Sequence, residues 1–240
     1  PFDGRFESEG EVFGSALTLQ YDFSETLALK SISAYRYFNQ DTICSLTGNG
    51  VMRGFVLDPV SFAPVGIEDL NGPYNCNNAP QRQDQYSQEL QLVGATERWK
   101  YVGGLFYFEE TADEYNNQRL TFVLPGGTAG LNLAPVSSFG GDTTSKAIFG
   151  QVSYRPAVLD DRLEVSVGGR YTKDETTFFS SAFTEEGDQD FDNDSWLLSA
   201  NYQISDDMMG YARVSTGYKA GGFSPRSAVL SSFEPEEATA

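Results

Sequence analysis

The chain has 240 residues, a formal net charge of −18 and no histidine. The negative charge argues against binding to nucleic acid, because the phosphates would be repelled. Without histidine, Ser-His-Asp and Cys-His catalysis and His-ligated metals are excluded. Carboxylate-only or Lys/Tyr chemistry stays open but nothing in the sequence supports it, so we expect neither an enzyme nor a cofactor. No stretch approaches the roughly 18 consecutive apolar residues of a membrane helix. Because the chain begins at Pro1 and not at methionine, we expect a fragment of a longer protein.

Strand-like segments recur along the chain. The 18 Phe, 13 Tyr and 24 Gly residues favour β-structure with many turns over a helical bundle. Residues 195–204 show the clearest alternation, with Trp196 and Leu198 on one face and Ser199 and Gln203 on the other. Period-2 alternation or β-rich composition predicts eight strands, at residues 16–23, 27–38, 85–93, 99–109, 146–155, 163–172, 195–204 and in the stretch 208–225, which runs into a Gly-Gly turn.

The connections between these segments alternate in length. Short turns are predicted at 24–26, 94–98, 156–162 and 205–207, and long polar segments at about 41–84, 110–145 and 180–194. In an up-and-down antiparallel sheet every second connection falls on the same side, so one rim carries short turns and the other large loops. Outer-membrane barrels have this asymmetry, whereas a β-sandwich gives no reason for it. The pattern predicts an antiparallel transmembrane β-barrel.

The strand chemistry fits a barrel wall. In hydrocarbon every backbone N–H and C=O needs an internal partner, and a closed barrel is the β-structure that provides one. Outward side chains then meet lipid and inward ones meet a polar lumen. Tyr21, Phe23, Tyr35, Tyr37 and Tyr202 lie near predicted strand ends, where interfacial aromatic girdles are expected.

Two other functions stay open at this level. The first is a soluble β-sandwich that binds carbohydrate through exposed Tyr and Trp. The second is a small outer-membrane barrel enzyme, against which the lack of histidine argues. Fractionation separates the soluble module, which needs no detergent, from the two membrane proteins.

Six segments resemble the barrel strands of TonB-dependent outer-membrane receptors and keep their order in that family. They are LKSISAYR at 29–36, YSQELQLVG at 86–94, YVGGLFYFEE at 101–110, AIFGQVSYR at 147–155, LEVSVGGRYTKDE at 163–175 and MGYARVSTGYKAGGFSPR at 209–226. The tail FEPEEATA resembles the segment that precedes the family's next strand.

The resemblance implies an all-β fold in which residues 1–240 form about eight strands of a 22-stranded receptor barrel. Such receptors lie in the outer membrane of Gram-negative bacteria and import ferric siderophores, cobalamin, haem or oligosaccharides with energy supplied through TonB. We expect a ferric siderophore as ligand, and outer-membrane lipid and the TonB complex as partners. The plug domain that contacts TonB and the C-terminal strands are absent, so this chain alone should not transport. Its sheet should have two open edges.

Cys44 and Cys76 are the two cysteines of the chain, and both lie in the first long polar segment. In an oxidising compartment they predict a disulfide that stiffens an external loop. By the loop-entropy model such a bridge contributes roughly 3–4 kcal/mol. The alternative is two free thiols.

Five charged residues are predicted to face the lumen if the apolar faces contact lipid. They are Arg36, Glu89, Arg170, Arg213 and Lys219. One interpretation is that the cations bind an anionic ligand such as a siderophore carboxylate. The other is that they pair with Glu89, with Glu164 or with the missing plug.

Two further motifs carry no predicted chemistry. The acidic run EEGDQDFDND at 185–194 lacks the order of a calcium-binding loop, so we expect a solvated loop. The pairs Gly168-Gly169 and Gly221-Gly222 belong to no phosphate-binding pattern and predict bends or close packing, with the second pair beginning an external loop.

Overall fold

The computed structural model describes residues 7–45, 52–58, 60–70, 75–76, 80–123, 129–133, 136–181, 186–224 and 231–240. Their strands are β1 Glu7–Ser24, β2 Leu27–Ser45, β3 Met52–Leu57, β4 Pro64–Leu70, β5 Asn75–Cys76, β6 Gln81–Ala95, β7 Trp99–Val123, β8 Ala129–Leu133, β9 Val136–Tyr154, β10 Leu163–Ser180, β11 Glu186–Ser205, β12 Met208–Lys219, β13 Gly222–Phe223, β14 Ser232–Phe233 and β15 Glu236–Thr239. In this part of the chain no helix is long and apolar enough to cross a membrane.

All eight predicted strands are present, as β1, β2, β6, β7, β9, β10, β11 and β12. Each pairs antiparallel with its neighbours in that order, so the predicted up-and-down topology is confirmed. Across the described residues β1 pairs only with β2 and β15 pairs only with β12, which leaves the sheet open at both edges.

One face of the sheet is apolar and exposed. Side chains of directly opposite residues in an antiparallel pair lie on the same face, and Leu90, Leu105, Ile148 and Tyr171 stand opposite one another across β6, β7, β9 and β10. All four are large and exposed, with Leu105 at 55% and Ile148 at 57%. This register also settles the orientation of β7, whose sequence is apolar on both faces.

The opposite face is polar and more buried. Ser153, Ser166, Thr172 and Asp174 are all buried, and the strand registers place them on the face opposite to Leu105. A sheet one layer thick can bury side chains in this way only where it curves, because the side chains on the concave side converge. We therefore assign the polar face as concave and the apolar face as convex, as in the wall of a membrane barrel.

The short turns form one rim, and hydrogen bonds join neighbouring turns. Arg98 forms an ion pair of 2.7 Å with Asp161 and donates to the carbonyl of Arg155 at 3.3 Å. Nearby, the rings of Trp99 and Tyr154 stack with centroids 4.2 Å apart, on the convex face. An aromatic pair at this level fits an interfacial girdle.

The prediction of a third long loop at 180–194 is wrong. β10 continues to Ser180 and β11 begins at Glu186, so the acidic run is strand and not loop. Its acids recur at every second position and therefore share the convex face, where Lys173 lies 4.0 Å from Asp190 and 2.7 Å from Glu175. This part of β11 lies towards the long-loop rim.

The other two long segments also contain strands. β3 and β4 form a hairpin with β8 alongside β3, and β5 lies between the outer ends of β2 and β7. At the hairpin tip, Asp58 Oδ1 accepts hydrogen bonds from the backbone N–H groups of Ser61 at 2.7 Å and Val60 at 3.0 Å, and these bonds lower the pKa of Asp58. The tail does not stop short of the next strand, since β15 already pairs with β12.

Candidate functional site

A cavity of about 480 Å³ opens on the concave face towards the long-loop rim. Its floor follows from the register: Phe38, Gln83, Ala112 and Gly141 stand opposite one another on β2, β6, β7 and β9. Ala112 and Gly141 are the two smallest residues of this row, and they stand next to each other. On β10, Phe178 lies level with Gly141 and closes the other side.

Polar groups line the short-turn side of the cavity. Glu110 lies on the concave face of β7 and accepts hydrogen bonds from the side-chain amides of Gln83, at 2.7 Å, and Gln85. Thr143 on β9 stands opposite Glu110, and Thr176 on β10 stands opposite Thr143. Both threonines line the cavity. Among the described residues no cation forms an ion pair with Glu110, and its carboxylate is held by side-chain amides.

Aromatic rings form the wall of the cavity on the β10 side. Phe178 is buried and stacks on Phe223 of β13, with ring centroids 5.5 Å apart and planes 20° apart. The segment after β12 thus turns back over the sheet, and the predicted external loop at Gly221-Gly222 instead contains the short strand β13. Close packing requires glycine here: a Cβ at Gly187 would lie 2.6 Å from the Phe223 ring, and one at Gly221 would lie 2.5 Å from the Phe233 carbonyl oxygen.

Arg170 lies deeper on the concave face, opposite Phe149 of β9. Its guanidinium carbon is 5.0 Å from the centre of the Phe106 ring and 5.8 Å from that of Phe149, within cation–π range. Arg170 Nε donates to Thr172 Oγ1 at 3.0 Å. Two rings and a hydroxyl therefore orient the guanidinium, and no described carboxylate forms an ion pair with it.

Three of the other predicted lumenal residues share this face by register. Arg36 stands opposite Gln85, Glu89 opposite Phe106, and Arg213 opposite Ser199. The register of β11 with β12 ends at Ser215 and does not reach the fifth, Lys219. Lys219 lies 3.7 Å from Glu236 of β15 and 6.0 Å from the centre of the Phe233 ring.

Glu164 is not the partner of these cations in the described residues. It lies near the short-turn rim, where it forms ion pairs with Lys100 at 2.8 Å and Arg155 at 3.3 Å. Glu89 accepts a hydrogen bond from the amide of Gln91 and forms no ion pair in the same described part of the chain. The predicted pairing with Glu164 is therefore wrong, and contact with a ligand or a plug remains a prediction.

The two cysteines are brought together by strand pairing. Cys44 on β2 stands directly opposite Cys76 on β5. Opposite residues of an antiparallel pair have Cα atoms about 4.5–5.5 Å apart, which lies within the range of disulfides. The backbone register is thus compatible with the predicted bridge.

Sequence reasoning did not find the cavity. Phe38, Glu110, Phe178 and Phe223 are far apart in the chain, and only the register across five strands brings them to one place. The signal that could have helped is local. Phe38 ends a predicted strand, Glu110 and Phe178 lie beyond the ends of two others, and all three occupy concave positions of the same alternation.

Comparison with known proteins supports the same architecture. The family described as TonB dependent receptor-like, beta-barrel matches residues 2–240. The chain belongs to the TonB-dependent receptor family. Among curated relatives, the pesticin receptor of Yersinia pestis is 28% identical over 156 residues, which are 61% of this chain and 21% of that protein. The chain therefore spans about a fifth of the length of this curated relative.

Solved structures share the fold of this TonB-dependent receptor segment. The ferric yersiniabactin uptake receptor FyuA from Yersinia pestis has a TM-score of 0.71 at 19% identity, and the match covers 98% of this chain and 33% of that one. The ferric preacinetobactin receptor BauA from Acinetobacter baumannii has a TM-score of 0.61 at 15% identity, covering 97% and 34%. At these identities the likeness concerns the fold, and the sheet corresponds to about a third of such a chain.

Proposed function

We propose that this chain is part of the barrel wall of an outer-membrane receptor that imports a ferric siderophore into a Gram-negative bacterium. Energy would reach the receptor through TonB and a plug domain outside this chain. The observation that carries the proposal is the reversed polarity of the sheet, with an exposed apolar convex face and a buried polar concave face. The names of the two structural neighbours, both receptors for ferric ligands, support iron as the cargo.

Neither alternative is favoured by an observation. A β-sandwich buries the apolar faces of its sheets against each other, whereas the apolar face of this sheet is exposed. The family consists of transport receptors and not enzymes. We therefore propose no catalytic role.

The concave charges fit contacts with groups outside this chain. Arg36, Arg170 and Arg213 form no ion pair among the described residues, and Arg36 and Arg213 are exposed, so their guanidinium groups can reach anions outside this chain. We propose that they contact carboxylates of the plug or anionic groups of the ligand. Glu89 and Lys219 are proposed as further contacts, and Cys44–Cys76 as a disulfide that holds β5 beside β2.

Uptake by the full-length receptor tests this function. The receptor is expressed in an Escherichia coli strain that lacks its own siderophore receptors, and entry of radioactive iron is measured with a panel of ferric siderophores. We expect TonB-dependent accumulation with at least one siderophore, and none in a strain without TonB. Receptor that reaches the outer membrane but supports no iron uptake, or uptake that persists without TonB, would contradict the proposal.

A further inference from the structure

The cavity between Phe38 and Phe178 has a negative electrostatic character. The ionic side chains that enter it from the concave face are Glu110 and Glu114, both carboxylates. Glu114 accepts a hydrogen bond of 2.6 Å from Asn116, which keeps the carboxylate in place. Among the described residues, Arg36 on β2 is the cation in the same cross-strand row as Glu110, and Gln85 on β6 stands between them.

Other charges at the cavity edge cancel. Arg82 on β6 and Asp113 on β7 stand opposite each other. Both side chains belong to the convex face, as those of Leu90 and Leu105 do. They contribute one charge of each sign. Among the described residues that line the cavity, Glu110 is thus the carboxylate whose printed partners are neutral amides, and we take it as the source of the negative potential.

The shape of the cavity suits a flat group. Phe38 and Phe178 are four strand spacings apart, about 19 Å along the sheet, with Ala112 and Gly141 between them. The stacked rings of Phe178 and Phe223 provide one aromatic wall. A flat ring entering above Ala112 can pack against this wall, and aromatic contacts of this kind favour rings that are neutral or positively charged.

We propose that this cavity receives a flat ring of the imported molecule that carries no negative charge. Its identity as part of a cargo rests on the uptake function proposed above. The chemistry of the cavity does not, since it follows from Glu110 and the phenylalanines. A carboxylate or phenolate on the ring would be repelled by Glu110 in a site that is partly shielded from water.

Charged thiol reagents measure this potential directly. Ala112→Cys is introduced into the full-length receptor in detergent, and it is treated with methanethiosulfonates of similar size that carry a trimethylammonium or a sulfonate group. Peptide mass spectrometry follows residue 112 alone, so Cys44 and Cys76 do not contribute. The measured quantity is the rate of modification by the cationic reagent divided by the rate for the sulfonate. We expect this ratio to be at least about fivefold higher at residue 112 than for a free thiol.

Two neighbouring variants serve as controls for the source of the potential. Adding Glu110→Gln should reduce the cationic preference several-fold, because the variant keeps the shape and removes the charge. Adding Arg36→Gln should increase it. A ratio equal to that of the free thiol, a preference for the sulfonate, or no modification of residue 112 would overturn the proposal.

Protection by small rings tests the ligand class. Benzyltrimethylammonium should slow the modification of residue 112 in a saturable manner, and benzenesulfonate, which has the same ring, should not. Phe223→Ala in the short β13 strand should weaken this protection, and Phe178→Ala should do the same if that variant folds. Equal protection by both rings, or by neither, would contradict the proposal. Because none of these readings uses iron uptake, they can fail or succeed independently of the transport assignment.

Discussion

The hydroxyl oxygens of Ser153 and Ser166 lie 2.7 Å apart between β9 and β10, and both side chains are buried. The next pair along the same strands, Val152 and Val167, faces the other way, with exposures of 44% and 57%. In a water-soluble sheet the serines would be solvated and the valines buried. The reversed arrangement is stable where lipid surrounds the sheet and a polar lumen lies within it.

Leu197 and Leu198 offer a matched test of the two faces. Leu198 stands opposite Val167 on the convex face, whereas Leu197 stands opposite Gly168 on the concave face. In the full-length receptor Leu198→Arg should lower the free energy of unfolding by about 2–4 kcal/mol, as expected for arginine in the apolar band of a barrel. Leu197→Arg should cost much less. Urea unfolding in lipid, followed by tryptophan fluorescence, measures both, and equal losses would argue against a lipid-facing β11.

Arg170 and Phe106 should be energetically coupled. The guanidinium lies over the Phe106 ring at 5.0 Å, a contact that contributes about 0.5–2 kcal/mol depending on its solvation. A double-mutant cycle with Arg170→Met and Phe106→Leu in the full-length receptor should return a coupling energy in that range. The cycle of Arg213→Met with Phe106→Leu serves as the control and should be additive within roughly 0.5 kcal/mol. A coupling near zero for Arg170 would mean that other partners hold its side chain.

Gly141 and Gly217 should respond differently to a methyl group. A Cβ at Gly141 would collide with the backbone carbonyl of Thr177, whereas a Cβ at Gly217 would meet nothing within 4 Å. Gly141→Ala should therefore lower the free energy of unfolding by about 1–3 kcal/mol through displacement of β10. Gly217→Ala should be nearly neutral. Chemical unfolding of the two variants side by side checks this, and a neutral Gly141→Ala would show that β9 and β10 are less closely packed.

Cys44 and Cys76 should react with an alkylating reagent only after reduction. The opposite positions of the two residues on β2 and β5 favour a bridge. Mass spectrometry of the denatured receptor should show no alkyl adduct without reductant and two with it. If both thiols are alkylated without reductant, the bridge is absent.

Much of the fold could be predicted from the sequence, because period-2 alternation is local information. Alternation alone puts Trp196 and Leu198 on one face, and the barrel interpretation turns that face towards lipid. The acidic run after Glu186 was misread, since charged residues at every second position resemble a loop unless the bilayer height is known. The contacts of Arg170 with Phe106 and Phe149, and the cavity around Ala112, depend on register between strands far apart in the chain. A single sequence does not contain that register.

The most direct test of the account is the environment of convex and concave side chains in the membrane. Nitroxide labels are placed at Val167 and Leu198, which stand opposite each other, and at Leu197 and Ser215, which do the same on the other face. In the full-length receptor in lipid, the first two labels should collide readily with oxygen and poorly with a water-soluble nickel complex, unlike the second two. Labels at Val167 and Leu198 that meet neither lipid-dissolved oxygen nor the bilayer would contradict the assignment of this sheet as a barrel wall.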